Sequence, residues 1–122
     1  MITEDFILYE TAKLLVKKDF GYDAEYESYY TLHGEIVYFK DNLNKINIAP
    51  RITLQMAMKW LREKHNLFIQ ITVDFSDGAY PMYDVCVFKL ATCTLIIVNG
   101  YNRYSYKEAC EAAIKFCCEN LI

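Results

Sequence analysis

The sequence predicts an α+β domain, α-β-β followed by α-β-β-β-α, whose antiparallel sheet carries its helices on one face. Three observations lead there. In Thr53–Val73 the amphipathic run TLQMAMKWLREKHN passes directly into the alternating LFIQITV. The apolar period falls from about 3.6 to about 2 within two residues, so a helix must turn straight into a strand. Two further β-rich runs follow, MYDVCVFKL and TCTLIIV, and the second is apolar enough for a central strand. The chain then closes on SYKEACEAAIKFCCENLI, where Ser105 and Glu108 form a capping box that opens a last helix.

In chain order, LYETAKLLVKKD from about Leu8 to Asp19 sets Leu8, Ala12, Leu15 and Val16 on one side, with Lys13, Lys17 and Lys18 mainly on the other. This predicts a helix with Gly21 as its C-terminal cap. DAEYESYY, TLHG and EIVYFK read as a hairpin with Val37 and Phe39 inward. DNLNKINIAP joins two sub-modules of one domain, about 1–48 and 49–122 of 1–122, because Ile46 and Ile48 make it too apolar for a free linker. Thr53 is placed to cap the second helix, on which Leu54, Ala57, Trp60 and Leu61 form the apolar stripe and Trp60 is the expected core anchor. Leu67, Ile69, Ile71 and Val73 share one face of the next strand, and SDG at 76–78 and Asn99–Gly100 mark turns. On the last helix Ala109, Ala112, Ala113 and Phe116 are the expected buried stripe.

The 122 residues suit one domain, and 54% hydrophobic with 24% charged residues excludes a disordered chain. The net charge is −3, and the acidic excess lies in residues 1–49, which hold 5 Lys/Arg against 9 Asp/Glu. Such a chain would have to concentrate its positive charge to live on a phosphate backbone. Its dense basic group is Arg51, Lys59, Arg62 and Lys64. MITEDFILYE sets acids ahead of a short apolar run, so neither a signal peptide nor a membrane span is expected and the reading is cytoplasmic. Five cysteines without paired spacing argue against a disulfide framework.

YETAKLLVKKDFG, a Tyr-rich hairpin, IAP before TLQMAMKWLREKH and the terminal YSYKEACEAAIKFC together resemble a group of small proteins of gut Bacteroides-type bacteria, their phages and mobile elements. The likeness covers most of the chain and implies kinship through caps and core positions; it carries no activity, cofactor or substrate with it. A weaker topological similarity links α-β-β-β-α with an Ala-rich last helix to the double-stranded-RNA-binding domain. That similarity implies a fold rather than RNA binding, since Ser105–Glu111 holds one Lys and two Glu where several Lys are needed.

Candidate sites are few. His65 ends a helix, where the dipole favours it, and the only other histidine, His33, falls in a hairpin turn. The cysteines at 86, 93, 110, 117 and 118 lack zinc-ligand spacing, and adjacent Cys117 and Cys118 should point about 100° apart, one buried and one half-exposed. No phosphate loop, Walker motif or nucleophile elbow occurs. Catalytic, metal and cofactor residues are therefore read as none. Two surfaces are left: an acidic, aromatic contact surface of Tyr22, Glu25, Glu27 and Tyr29, and a basic strip of Lys59, Arg62 and Lys64. The expected function is that of a non-enzymatic accessory protein that binds another protein and can self-associate. Nucleic-acid binding through the basic strip and an enzyme of unrecognised type are the alternatives.

Overall fold

The computed structural model describes residues 5–20, 26, 28–38, 49–75, 81–98 and 105–122. The elements are α1 (Tyr9–Lys17), β1 (Ser28–Tyr30), β2 (Ile36–Tyr38), β3 (Ala49–Pro50), α2 (Leu54–His65), β4 (Leu67–Asp74), β5 (Met82–Lys89), β6 (Thr94–Val98) and α3 (Tyr106–Asn120). The class is α+β, as the sequence predicts. The strands form two antiparallel sheets, ordered β2-β1-β3 and β4-β5-β6, and the chain divides into two compact units, Met1–Thr53 and Leu54–Ile122.

In the first unit α1 buries Thr11, Ala12 and Leu15. Its end is made by Asp19, which adopts φ 63°. The Phe20 amide then donates to the Leu15 carbonyl and the Asp19 amide to that of Val16, at 3.0 and 3.1 Å. This is a Schellman closure, with Phe20 and Leu15 both buried. The left-handed residue is thus Asp19 rather than the expected Gly21, which lies outside the described residues.

β1 is buried along its whole length because it is the middle strand, paired with β2 through Tyr29↔Val37 and with β3 through Tyr29↔Pro50. Pro50 is tolerated because β3 is an edge that needs no further amide donor. The β1–β2 loop turns at Gly34, φ 82°, whose amide donates to the Thr31 carbonyl. A Cβ there would meet the Tyr9 ring at 3.1 Å, so glycine also admits the first residue of α1. The Tyr9 hydroxyl donates to the Leu32 carbonyl and that of Tyr30 to Ile7, which ties α1 to the sheet. Val37 is half-buried while Ile36 and Tyr38 are exposed, and Phe39 lies outside the described residues.

In the second unit α2 and α3 pack on each other and on β4 and β5. α2 buries Leu54, Ala57, Met58 and Leu61. Trp60 is half-buried with its ring 4.7 Å from that of His65, and Met58, on the opposite flank of Leu54 and Leu61, is the buried residue instead. The helix becomes a strand at Asn66, whose φ of 55° reverses the chain without glycine. Its carbonyl accepts the Leu90 amide at 2.9 Å, which starts the ladder.

β4 and β5 then pair without interruption from Leu67↔Lys89 to Asp74↔Met82, and β6 joins from Val85↔Val98 to Lys89↔Thr94, so β5 is central and the apolar run expected there is an edge of this sheet. Leu67, Val85 and Val87 are buried on the helix side. α3 begins at Ser105, whose hydroxyl accepts the Glu108 amide at 3.1 Å. Its buried side is Ala109, Cys110, Glu111, Ala113, Ile114, Cys117 and Cys118, and Ala112 and Phe116 are half-buried. Cys118 is thus as deep as Cys117, since the buried side of α3 is wide enough to take both.

Candidate functional site

Of the acidic, aromatic surface, Tyr22, Glu25 and Glu27 lie outside the described residues. Tyr29 does not belong to an accessible surface, for it is only 3% exposed. Its position in a central strand with ladders on both sides buries it, and its hydroxyl accepts the Tyr26 amide at 2.8 Å.

Lys59, Arg62 and Lys64 are all exposed on α2. They do not make one strip. At about 100° per residue Lys59 and Arg62 lie about 60° apart, whereas Lys64 lies about 140° from Lys59 on another flank. Lys59 also faces Glu63 at 4.0 Å, which halves the local charge. Arg51, the fourth member of the basic group, is held over the Phe6 ring with its guanidinium carbon 3.9 Å from the centroid. One of its terminal nitrogens donates to the Ser28 hydroxyl.

The groups capable of chemistry are dispersed. His65 sits at the end of α2 against Trp60, and His33 is exposed in the β1–β2 turn. Cys110, Cys117 and Cys118 are buried, Cys86 is half-buried and Cys93 is exposed. Burial, followed by the neighbouring Cys118, pushes the Cys117 thiol up to about 12, which removes it as a nucleophile near neutral pH. Thr11 and Glu111 are buried and engaged. Among the described residues no three His, Cys, Asp or Glu converge on a point that could hold a metal. No helix among them is long and apolar enough to cross a membrane.

The distinctive feature is the face of the β4-β5-β6 sheet that points away from α2 and α3. Odd-numbered residues of β4 and β5 face the helices, so even-numbered ones face away. The register sets Phe68 opposite Phe88 and Phe88 opposite Leu95, which lines the three up in a row across all three strands. Phe68 is 40% and Leu95 48% exposed, with half-buried Phe88 between them. The two phenyl rings lie 6.4 Å apart at 60°, a tilted pair that holds both in place. Gln70 and Cys86 form the next row. Leu90, just past β5, is also exposed. A contiguous apolar row on a rigid sheet can shed water onto a complementary surface without reordering its backbone. The strand alternation contained the signal, since Phe68, Phe88 and Leu95 are large apolar residues at positions whose neighbours point inward. No known protein family, curated protein or solved structure matches the chain.

Proposed function

We propose that this chain is a small non-enzymatic accessory protein that binds another protein, with the face of the β4-β5-β6 sheet that points away from α2 and α3 as its contact surface. The row Phe68–Phe88–Leu95 carries the reading. It supplies aromatic and aliphatic anchors flanked by polar Gln70 and Thr72, the pattern of an apolar centre with a polar rim. The partner it suits presents an apolar, aromatic-bearing surface, and self-association is a second mode. Among the described residues no three His, Cys, Asp or Glu converge and three of the five thiols are buried, which supports binding over turnover. The likeness to small proteins of Bacteroides-type bacteria and their mobile elements suggests the cytoplasm of such a host as the setting. The nucleic-acid alternative draws less support, because Lys59, Arg62 and Lys64 do not share a face.

The test is affinity capture from host lysate with the wild-type chain and with Phe68→Ser/Leu95→Ser, followed by reconstitution from purified components. A partner that binds the wild type and is lost with the double variant, while circular dichroism shows the fold intact, supports the proposal. A partner that binds both alike, or a turnover abolished by changing His65, overturns it.

A further inference from the structure

We infer that β4 pairs edge to edge with β4 of a second copy of this chain, continuing the three-stranded sheet across a two-fold axis at Gln70. The inference rests on the backbone edge and stands whether or not the aromatic row has a partner of its own.

Natural sheets blunt their edges by short strands, proline, lysine or a bulge. Among the described residues β3 carries such a device in Pro50. β4 carries none. It runs for 8 residues as LFIQITVD, with no proline or basic residue and with Asp74 at its far end as its only charge. Its pairing with β5 has no bulge, and among the described residues it has a ladder partner on that side alone.

The bond from the Leu90 amide to the Asn66 carbonyl sets the phase of the β4–β5 ladder. Because hydrogen-bonded and non-bonded pairs alternate in an antiparallel ladder, Phe68, Gln70, Thr72 and Asp74 bond to β5. The amides and carbonyls of Leu67, Ile69, Ile71 and Val73 therefore point to the open edge. Two copies of one strand can pair in antiparallel fashion only about an axis perpendicular to the sheet, which keeps the helices of both on the same side.

Centring that axis on Gln70 sets Leu67 opposite Val73 of the second copy and Ile69 opposite Ile71 of the second copy. All the freed amides and carbonyls of β4 then find partners. On the helix side this register brings together apolar residues only, including Val73, which is 47% exposed in the single chain. On the other face it sets Phe68 opposite Thr72 of the second copy, Gln70 opposite its own equivalent, and Asp74 opposite Asn66 of the second copy. No like charges meet, and the strand is complementary to itself in sequence, hydrogen bonding and charge.

Analytical ultracentrifugation of the full chain over a micromolar to millimolar range is the first measurement, with a reversible rise from monomer to dimer mass expected. Gln70→Lys would set two ammonium groups face to face on the exposed side and weaken the association at least about tenfold. The second measurement uses a Cys86→Ser/Cys93→Ser background, which removes the thiol across the ladder from Gln70 and the exposed one. There Gln70→Cys should give a covalent dimer on mild oxidation, because a non-hydrogen-bonded cross-strand pair suits a disulfide. Thr72→Cys, facing Phe68 of the second copy, should not. A chain that stays monomeric overturns the inference, as does a dimer that ignores Gln70→Lys or oxidises equally from positions 70 and 72. Loss of partner capture by Leu95→Ser alone, at a residue of β6 outside the seam, bears on the aromatic row and leaves these outcomes unchanged.

Discussion

Asn66 offers the sharpest test of how α2 becomes β4. Its φ of 55° lies in the left-handed region, where a residue with a Cβ costs about 1–2 kcal/mol and asparagine less, because its short polar side chain can bond locally. The side chain is exposed, so its removal opens no cavity. The backbone conformation is meanwhile held by the bond from the Leu90 amide to the Asn66 carbonyl. Substitution thus reports backbone preference almost alone. Asn66→Ala should destabilise the second unit by about 1 kcal/mol, and Asn66→Val by about 2 kcal/mol because a branched Cβ crowds that region further. Asn66→Gly should be neutral or stabilising by up to about 1 kcal/mol. Urea unfolding followed by the fluorescence of Trp60, the single tryptophan, reads this unit directly. An alanine variant as stable as the wild type, or a glycine variant less stable than the alanine one, would refute the reasoning.

Asp19→Gly should stabilise the first unit by about 0.5–1 kcal/mol in the same urea titration, read by far-ultraviolet circular dichroism, because it removes a Cβ from a residue at φ 63°. Ser105→Ala, which deletes the acceptor of the Glu108 amide, should cost about 1 kcal/mol in thermal unfolding, and Ser105→Asp should restore most of it. The Cys117 thiol rises from 9.0 to about 12 on folding, so the folded chain holds a proton there that the unfolded chain releases. That stability is full below pH 9 and declines from there toward pH 12, by at most about 1.4 kcal/mol per pH unit. Cys117→Ala should flatten this part of the stability profile measured by urea unfolding. Native alkylation should label exposed Cys93 and leave Cys110, Cys117 and Cys118 untouched until urea is added, as mass spectrometry of the peptides would show.

The helices and the long strands were legible because each shows its period over enough residues to override local noise. Leu54, Ala57 and Leu61 on α2 and the alternation through β4 both fall where the pattern puts them. What the pattern could not reach was decided by local backbone or by packing. Asp19 and Asn66 both take conformations usually left to glycine, and only their place at a helix end reveals it. β3 is 2 residues long and shows no alternation, so the central place of β1 and the burial of Tyr29 were hidden with it. Trp60 and Met58 lie about 160° apart on the helical wheel, on opposite flanks of Leu54 and Leu61, and composition alone favoured the larger ring. The aromatic row was present in the alternation of each strand, but lining up Phe68, Phe88 and Leu95 needs the register between strands, which no single strand encodes.

The central claim is that the second unit acts through the sheet face that points away from its own helices. The dissociation constant of the reconstituted partner complex tests it most directly, measured for the wild type, for Phe68→Ser/Leu95→Ser and for Phe75→Ser. Phe75 is the most exposed large apolar residue among those described but lies beyond the end of β4, outside the aromatic row. The account predicts that binding weakens at least about a hundredfold for the row variant, as for two anchors at about 1.4 kcal/mol or more each, and stays within about threefold for Phe75→Ser. Equal affinity for the wild type and the row variant, or a greater loss with Phe75→Ser, would contradict it.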